Sequence, residues 1–443
     1  MNSEELYLQT KPRRLLMTAA IPGAISMVAS SLYSVFDSMF VGKFLGTTAF
    51  AALGLAMPVI INFALADLVG VGSSVPISIF LGKGRRRDAS SYFTFACLLI
   101  VATGLLSGVA IFASAPMLMQ AMGAEGELLE LSVRYVRIYA LFSPLTTVNF
   151  ALDNYLRICG RINTSMFLNI FSSAFTIALE LLFIVVLGWG IEGAALGANV
   201  AMLAVVLFGA GFFLRGKESL RFVRTRPSLA MLRQIYKNGI STFLTNIAGR
   251  VFSIVMNVML LRFGGQDAVA VYGVVMTVAA IIEQVLYGMV DSMQPSIGFN
   301  YGAGRIDRVK ALEKYVVIAG AAISFTGFAV MALMPAQVSA PFLEDLSLLD
   351  MAVVAVRVTS LTYTVRWVFV IVMGLFMALE RPYPAMAISV CSASVFPFVV
   401  LFALLPLGLG GLWWNYTVSS ALTTVLALAL FRWLRSDLFA PAE

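Results

Sequence analysis

Long apolar segments separated by short polar connections occupy almost the whole chain. A helix that crosses a bilayer needs about 20 mostly apolar residues, because hydrocarbon offers its backbone no other hydrogen-bond partner. The pattern predicts about twelve such helices, with approximate limits 15–41, 53–81, 92–117, 131–156, 165–187, 194–214, 236–261, 269–297, 315–334, 351–377, 386–405 and 412–434. The fold class expected from this pattern is an all-α polytopic membrane protein.

Composition supports this interpretation and excludes several kinds of site. Hydrophobic residues make up 60% of the 443 positions and charged residues 12%, with no His, and the mean hydropathy is +0.92; soluble domains do not have this balance. Cys97, Cys159 and Cys391 lie far apart, without the spacing of metal ligands or of a disulfide framework. We therefore expect no metal site, no cofactor and no enzymatic activity.

Basic and acidic residues fall in alternate connections between the predicted helices. Lys and Arg are concentrated at the amino terminus and around 83–87, 215–237 and 305–314, whereas Glu and Asp predominate in the other connections. Cytoplasmic loops are enriched in Lys and Arg, so we expect both termini in the cytoplasm. The net charge of +7 is thereby explained without nucleic acid, because the basic residues are spread over one membrane face.

A repeat links the two halves of the chain. Two series of residues match in order at an offset of about 219 positions: Phe44, Gly46, Gly54, Pro76, Gly84, Arg85 and Asp88 in the first half, and Phe263, Gly265, Gly273, Pro295, Gly304, Arg305 and Asp307 in the second. An even number of crossings per half makes the repeats parallel. The sequence predicts two six-helix lobes, 1–220 and 221–443.

Several short motifs resemble those of the multidrug and toxic compound extrusion (MATE) transporters, in particular the bacterial branch of small-drug exporters. The motifs are Pro22, Ser31, Tyr33, Asp37, Phe40 and Gly42 in the first run; Leu156, Arg157, Gly160 and Arg161; Gly188, Gly190 and Gly193; and Gln294 to Ala303. The resemblance implies two lobes forming a V-shaped central cavity. It also implies alternating access that exports small drug-like molecules in exchange for H+ or Na+. With this resemblance, we expect a monomer in a bacterial inner membrane, surrounded by membrane lipid.

Two acids within predicted helices are candidates for ion coupling. Asp37 lies one helical turn after Tyr33, and Glu180 lies one turn after Thr176. The resemblance matches Asp37 to the coupling acid of the family, and it places Glu180 where relatives carry Asp. Burial disfavours the charged form of a carboxyl, so both acids could bind and release a proton. The alternative is that they only hydrogen-bond to neighbouring helices.

Further polar residues in the apolar runs could line a substrate cavity. In the first half, Asn149 and Asp153 share a helical stripe with Arg157, although Asp153 and Arg157 could instead form a local ion pair. In the second half the candidates are Asn246, Arg250, Glu283, Tyr287, Asp291 and Arg366. We expect the two arginines to be buried, with Glu283 and Asp291 as partners; one arginine could instead bind an anionic substrate.

A second function class fits the same pattern of helices. A lipid-linked saccharide flippase of the same wider superfamily would have a similar pattern of helices, although such proteins often have more crossings and more cations in the cavity. A membrane enzyme is disfavoured, because the chain has neither a phosphate-binding loop nor a His or metal cluster.

Overall fold

The computed structural model describes residues 3–56, 62–216, 218–343 and 346–438, and no strand occurs in these ranges. Short 3-10 and π-helical segments join several of the α-helices. In chain order the α-helices are α1 (Pro12–Ala56), α2 (Asn62–Gly82), α3 (Arg86–Ala121), α4 (Gly126–Leu141), α5 (Ser143–Ile158), α6 (Ile162–Glu180), α7 (Gly190–Leu214), α8 (Leu229–Gly302), α9 (Ile306–Leu333), α10 (Pro335–Ser339), α11 (Leu349–Ser360), α12 (Arg366–Ala378), α13 (Pro382–Val390), α14 (Phe396–Leu404) and α15 (Gly408–Leu438).

The predicted apolar runs lie on helical backbone, apart from isolated turn residues, wherever the structure describes them. In the described ranges, nine helical stretches are long and apolar enough to cross a membrane. One of them, Leu229–Gly302, has 74 residues, is interrupted by the non-helical Gly265, and contains two of the predicted runs. The all-α polytopic class is confirmed, and the number of crossings stays a prediction.

The repeat predicted from the sequence is visible in the backbone. Helices α1 and α8 each contain one non-helical residue, Gly46 with φ 86° and Gly265 with φ 69°. These two glycines occupy equivalent positions in the repeat, and Gly tolerates positive φ because it has no Cβ. Gly160 at φ 78° likewise has Glu380 at φ 57° as its counterpart. The two halves therefore bend at matching places.

Contacts divide the chain into two compact units. Unit 1 comprises Met1–Tyr7 and Val28–Gly239, and unit 2 comprises Leu8–Met27 and Ile240–Glu443. The beginning of α1 thus belongs to unit 2, and the beginning of α8 belongs to unit 1. The lobe boundary predicted between residues 220 and 221 follows the sequence repeat and stays a prediction.

Glycines hold these two helix beginnings against their units. In unit 1, a Cβ on Gly239 would lie 1.8 Å from the carbonyl oxygen of Leu68. In unit 2, a Cβ on Gly23 would lie 2.5 Å from the carbonyl oxygen of Gly288. Backbones can approach this closely only through residues without side chains, which is a common way for helices to pack in membranes.

The first residues of the chain are packed into unit 1. Tyr7 is fully buried, and its hydroxyl donates a hydrogen bond to the carbonyl oxygen of Arg157. The side chain of Leu6 is buried beside Gly160, where an added Cβ would lie 3.4 Å from Leu6 Cδ2. Burial also raises the pKa of the neighbouring Cys159 thiol to about 12. Because the thiolate is the reactive form, Cys159 should be inert while this segment is in place.

The cover over Cys159 can be tested by thiol labelling. In a chain carrying Cys97→Ser and Cys391→Ser, Tyr7→Ala should accelerate maleimide labelling of Cys159 at pH 8 by roughly tenfold, the effect of a pKa lowered by one unit. Tyr236→Ala, which truncates an exposed tyrosine of the same unit, should leave the rate unchanged. Equally slow labelling in the Tyr7→Ala and Tyr236→Ala variants would mean that the segment does not protect this thiol.

Candidate functional site

The two candidate coupling acids occupy neighbouring helices of unit 1. Asp37 on α1 and Glu180 at the end of α6 are both buried, with 8% and 1% exposure. A π-helical segment, Leu181–Val186, begins directly after Glu180; π turns are frequent at functional sites. Helix α7 approaches so closely that a Cβ on Gly197 would lie 3.1 Å from Glu180 Cγ. Glu180 is therefore fixed by tight packing.

Three tyrosines complete what we name the acidic cluster, formed by Asp37, Glu180, Tyr33, Tyr135 and Tyr139. The Tyr33 hydroxyl donates a hydrogen bond to Glu180 Oε1 at 3.2 Å, and the carboxyls of Asp37 and Glu180 are within hydrogen-bonding reach of each other. Tyr135 and Tyr139, both on α4 and buried, have ring centroids 5.0 Å apart. Both tyrosines are also within electrostatic reach of Asp37.

The partners of Asp37 and Glu180 determine what the acidic cluster can bind. Among the described residues, no Lys or Arg is a partner of Asp37 or Glu180. A carboxylate oxygen can only accept hydrogen bonds, so a hydrogen bond between two carboxyls requires a proton on one of them. Two unpaired negative charges would also be costly at this burial. The cluster therefore has no fixed counter-ion among the described residues and can instead hold an exchangeable proton or cation.

The other predicted residues of unit 1 make local contacts. Thr176 donates to the carbonyl oxygen of Ser172 on its own helix at 2.8 Å. Asp153 forms the predicted local ion pair, with its Oδ2 at 2.5 Å from Arg157 Nη2. Asn149 lies one turn before Asp153, and its buried Oδ1 has no hydrogen-bond partner in the part of the chain that the structure describes. The structure thus places Asp153 in a pair with Arg157.

Unit 2 contains a different polar centre, built around Arg366 at the start of α12. Its Nε lies 3.0 Å from Glu283 Oε1, with 13% and 21% of the two side chains exposed. The Tyr416 hydroxyl donates to the same carboxyl oxygen, and its ring centroid lies 4.8 Å from the Arg366 guanidinium carbon. Arg366 Nη1 donates to Ser420 Oγ at 3.3 Å. The guanidinium is therefore neutralised, hydrogen-bonded and stacked on an aromatic ring.

The remaining candidates of unit 2 are distributed around this pair. Tyr287 is within hydrogen-bonding reach of Arg366, whereas Asp291 accepts a hydrogen bond from Gln294 at 2.9 Å. Asn246 donates to the backbone of Thr242. Both arginines were expected to be buried. Arg366 is largely buried, with 13% of its side chain exposed, whereas the expectation is wrong for Arg250, which is exposed. The structure thus brings Glu283, Tyr287 and Arg366 together.

Sequence reasoning missed four residues of these two centres. Tyr135 and Tyr139 stand one turn apart on α4, so their i, i+4 spacing could have marked a shared tyrosine face. Tyr416 and Ser420 are also one turn apart, on α15. Nothing in the sequence connects that pair with Arg366, because the contact depends on how α12 and α15 pack.

A family model described as MatE matches residues 22–182 and 242–403. The chain belongs to the MatE family. The two matched segments begin about 220 residues apart, in agreement with the repeat, and they include both polar centres except for Tyr416 and Ser420. The resemblance to the MATE transporters is confirmed, and this MatE chain is a multi-pass membrane protein.

Curated relatives and solved structures cover nearly the whole MatE chain. The multidrug export protein MepA of Staphylococcus aureus (strain NCTC 8325) is 24% identical over 443 residues, with 99% of this chain and 98% of the relative covered. MepA of Staphylococcus haemolyticus is 25% identical, at the same coverage.

Two solved structures share the fold at a TM-score of 0.92 and 22% identity, each covering 98% of both chains. One is an outward-facing multidrug resistance MATE transporter of the MOP superfamily. The other is a MOP superfamily transporter from Pyrococcus furiosus Vc1 whose binding pocket is described as having reverse polarity.

The Arg366–Glu283 pair of this MatE chain can be tested by a double-mutant cycle. Glu283→Gln should destabilise the protein by about 3 kcal/mol, because it leaves a largely buried guanidinium without its counter-ion. The double variant Glu283→Gln/Arg366→Gln should recover much of this loss, since no unpaired charge remains. Thermal unfolding in detergent measures both effects. Additive losses would show that the two side chains are not energetically coupled.

Proposed function

We propose that the chain is a secondary active exporter that moves small amphipathic, drug-like molecules out of the cytoplasm in exchange for an ion. Family membership and the multidrug export activity named for its curated relatives support this proposal. The observation that carries it is the acidic cluster, where two buried carboxyls meet without a fixed cation. Such a site can exchange a proton against a cationic cargo.

The proposed cycle uses the proton as a removable counter-charge. With a proton on the carboxyl pair, Asp37 and Glu180 hydrogen-bond to each other and the cluster carries less negative charge. Loss of that proton leaves both acids charged, and a cation beside them then becomes favourable. Proton and cargo would therefore compete for the same negative charge, and this competition is the basis of antiport. Protons are the preferred coupling ion, with Na+ as the alternative.

The finer features of the proposal concern location and assembly. We place the chain in a bacterial inner membrane with both termini cytoplasmic, because the basic connections lie on one side of the predicted topology. We propose a monomer that works by alternating access, as expected for a parallel repeat of two six-helix halves. The chain would transport its substrates unchanged, without enzymatic chemistry.

Coupling through Asp37 can be tested in proteoliposomes with a pH gradient and a Na+ gradient imposed separately. The wild-type protein should export a cationic dye when the pH gradient is imposed. Asp37→Asn should abolish this export while the protein still folds and inserts, because the amide cannot exchange a proton.

The matched control is Glu192→Gln. Glu192 is an acid of the same unit that pairs at 3.0 Å with Arg134, an exposed residue, and its replacement should leave export intact. Export by Asp37→Asn at the wild-type rate would contradict the assignment. Export driven only by the Na+ gradient would identify Na+ as the coupling ion.

The charge preference of the cargo should follow from the two polar centres. Glu283 neutralises Arg366 in unit 2, whereas the two acids of the acidic cluster have no Lys or Arg partner among the described residues. Cationic and neutral aromatic compounds are therefore the expected substrates. An anionic cargo would require a guanidinium that is free to bind it with two parallel hydrogen bonds.

Matched cationic and anionic dyes separate these two cases. The Glu283→Gln/Arg366→Gln variant, corrected for the amount of folded protein, should keep the wild-type preference for the cation. The measurement is the ratio of the two efflux rates in the proteoliposome assay. A selective loss of anion export in this variant would show that Arg366 binds an anionic substrate.

A further inference from the structure

Unit 2 contains a cavity of about 1060 Å³ between α9, α12 and α15, distinct from the Arg366–Glu283 pair. Its rim is formed by the beginning of α9, with Lys310 and Lys314, and by the end of α15, with Arg432 and Arg435. Lys314 and both arginines are exposed. The rim thus collects cations from two helices at one end of the unit.

The charge of this rim is strongly unbalanced. Glu313 is the only acid among the described residues that line the cavity, and it lies within electrostatic reach of Arg435. One carboxylate can offset one of the cations, so an excess of positive charge remains. Charge of this sign at the end of membrane-spanning helices attracts anionic groups of a lipid surface.

The wall beyond the rim is apolar. Val317 lies about one turn further along α9 than Lys314, and Leu428 lies one turn before Arg432 on α15. Trp367 of α12 adds an aromatic surface to this wall. Its indole N–H donates a hydrogen bond to the carbonyl oxygen of Thr364 at 3.2 Å. Exposure of Val317 is 37% and that of Leu428 is 49%. Cations therefore border an apolar surface that continues along the spanning helices.

We propose that this cavity binds an anionic phospholipid of the surrounding membrane. The lipid phosphate contacts Lys314, Arg432 and Arg435, and an acyl chain lies against Val317, Trp367 and Leu428. Guanidinium and ammonium groups suit a phosphate oxygen, whereas a water-soluble phosphate would leave the apolar wall unused. This inference rests on the membrane-spanning class of the chain and does not depend on the proposed export activity.

Lipid binding can be measured by native mass spectrometry of the full-length protein in detergent. The probes are phosphatidylglycerol and phosphatidylcholine with identical acyl chains. The wild-type protein should prefer phosphatidylglycerol, and Lys314→Gln/Arg432→Gln/Arg435→Gln should reduce its affinity for that lipid on the order of 100-fold, since each basic residue contributes roughly fivefold. Leu428→Trp, which fills the apolar part, should also weaken binding of phosphatidylglycerol.

A matched control removes the same charge elsewhere. Arg224→Gln/Arg226→Gln/Arg233→Gln changes three exposed cations of unit 1 and should leave the lipid preference intact. Equal loss in both triple variants would overturn the proposal in favour of diffuse electrostatic attraction, and so would unchanged binding in the rim variant. Displacement of bound phosphatidylglycerol by millimolar inorganic phosphate would also overturn it, because the site would then recognise a soluble anion.

Discussion

Hydrocarbon offers a polar group no hydrogen-bond partner, and both the fold and the polar centres of this chain follow from that constraint. The backbone meets it by remaining helical, and the exceptions at Gly46 and Gly265 fall in the connections that join predicted crossings. Side chains meet it in two different ways. In unit 1 two acids lie against each other with tyrosines around them, whereas in unit 2 an acid faces a guanidinium.

These two arrangements have different consequences for the charge of each unit. An ion pair such as Arg366–Glu283 is complete in itself, and removing either partner leaves a costly unpaired charge. A carboxyl pair is incomplete without a proton or a cation. The first arrangement braces a unit, and the second makes its charge depend on what is bound. This difference is why we propose Asp37 and Glu180 as the ion-coupling residues.

The helices could be predicted from the sequence because their signal is long and local, and the repeat was readable from glycines such as Gly46 and Gly265 that mark backbone bends. The resemblance to a family selected Asp37 and Glu180 as candidate coupling acids, whereas the contact between the two carboxyls became visible only in the structure. The partnership of Arg366 with Tyr416 could not be predicted, because no local pattern encodes which helices pack together. Arg250 was expected to be buried because it lies inside an apolar run, but the structure shows it exposed.

The repeat also shows that neither polar centre has an equivalent in the other half. At an offset of about 219 or 220 residues, Asp37 corresponds to Met256 and Glu180 to Val400, both buried and apolar. In the reverse direction, Glu283 corresponds to the buried Ala64. Each half therefore keeps the bends and close helix contacts of the repeat but has its own charges. Under the proposed function, the carboxyl pair that exchanges a proton in the first half has no symmetric counterpart in the second half.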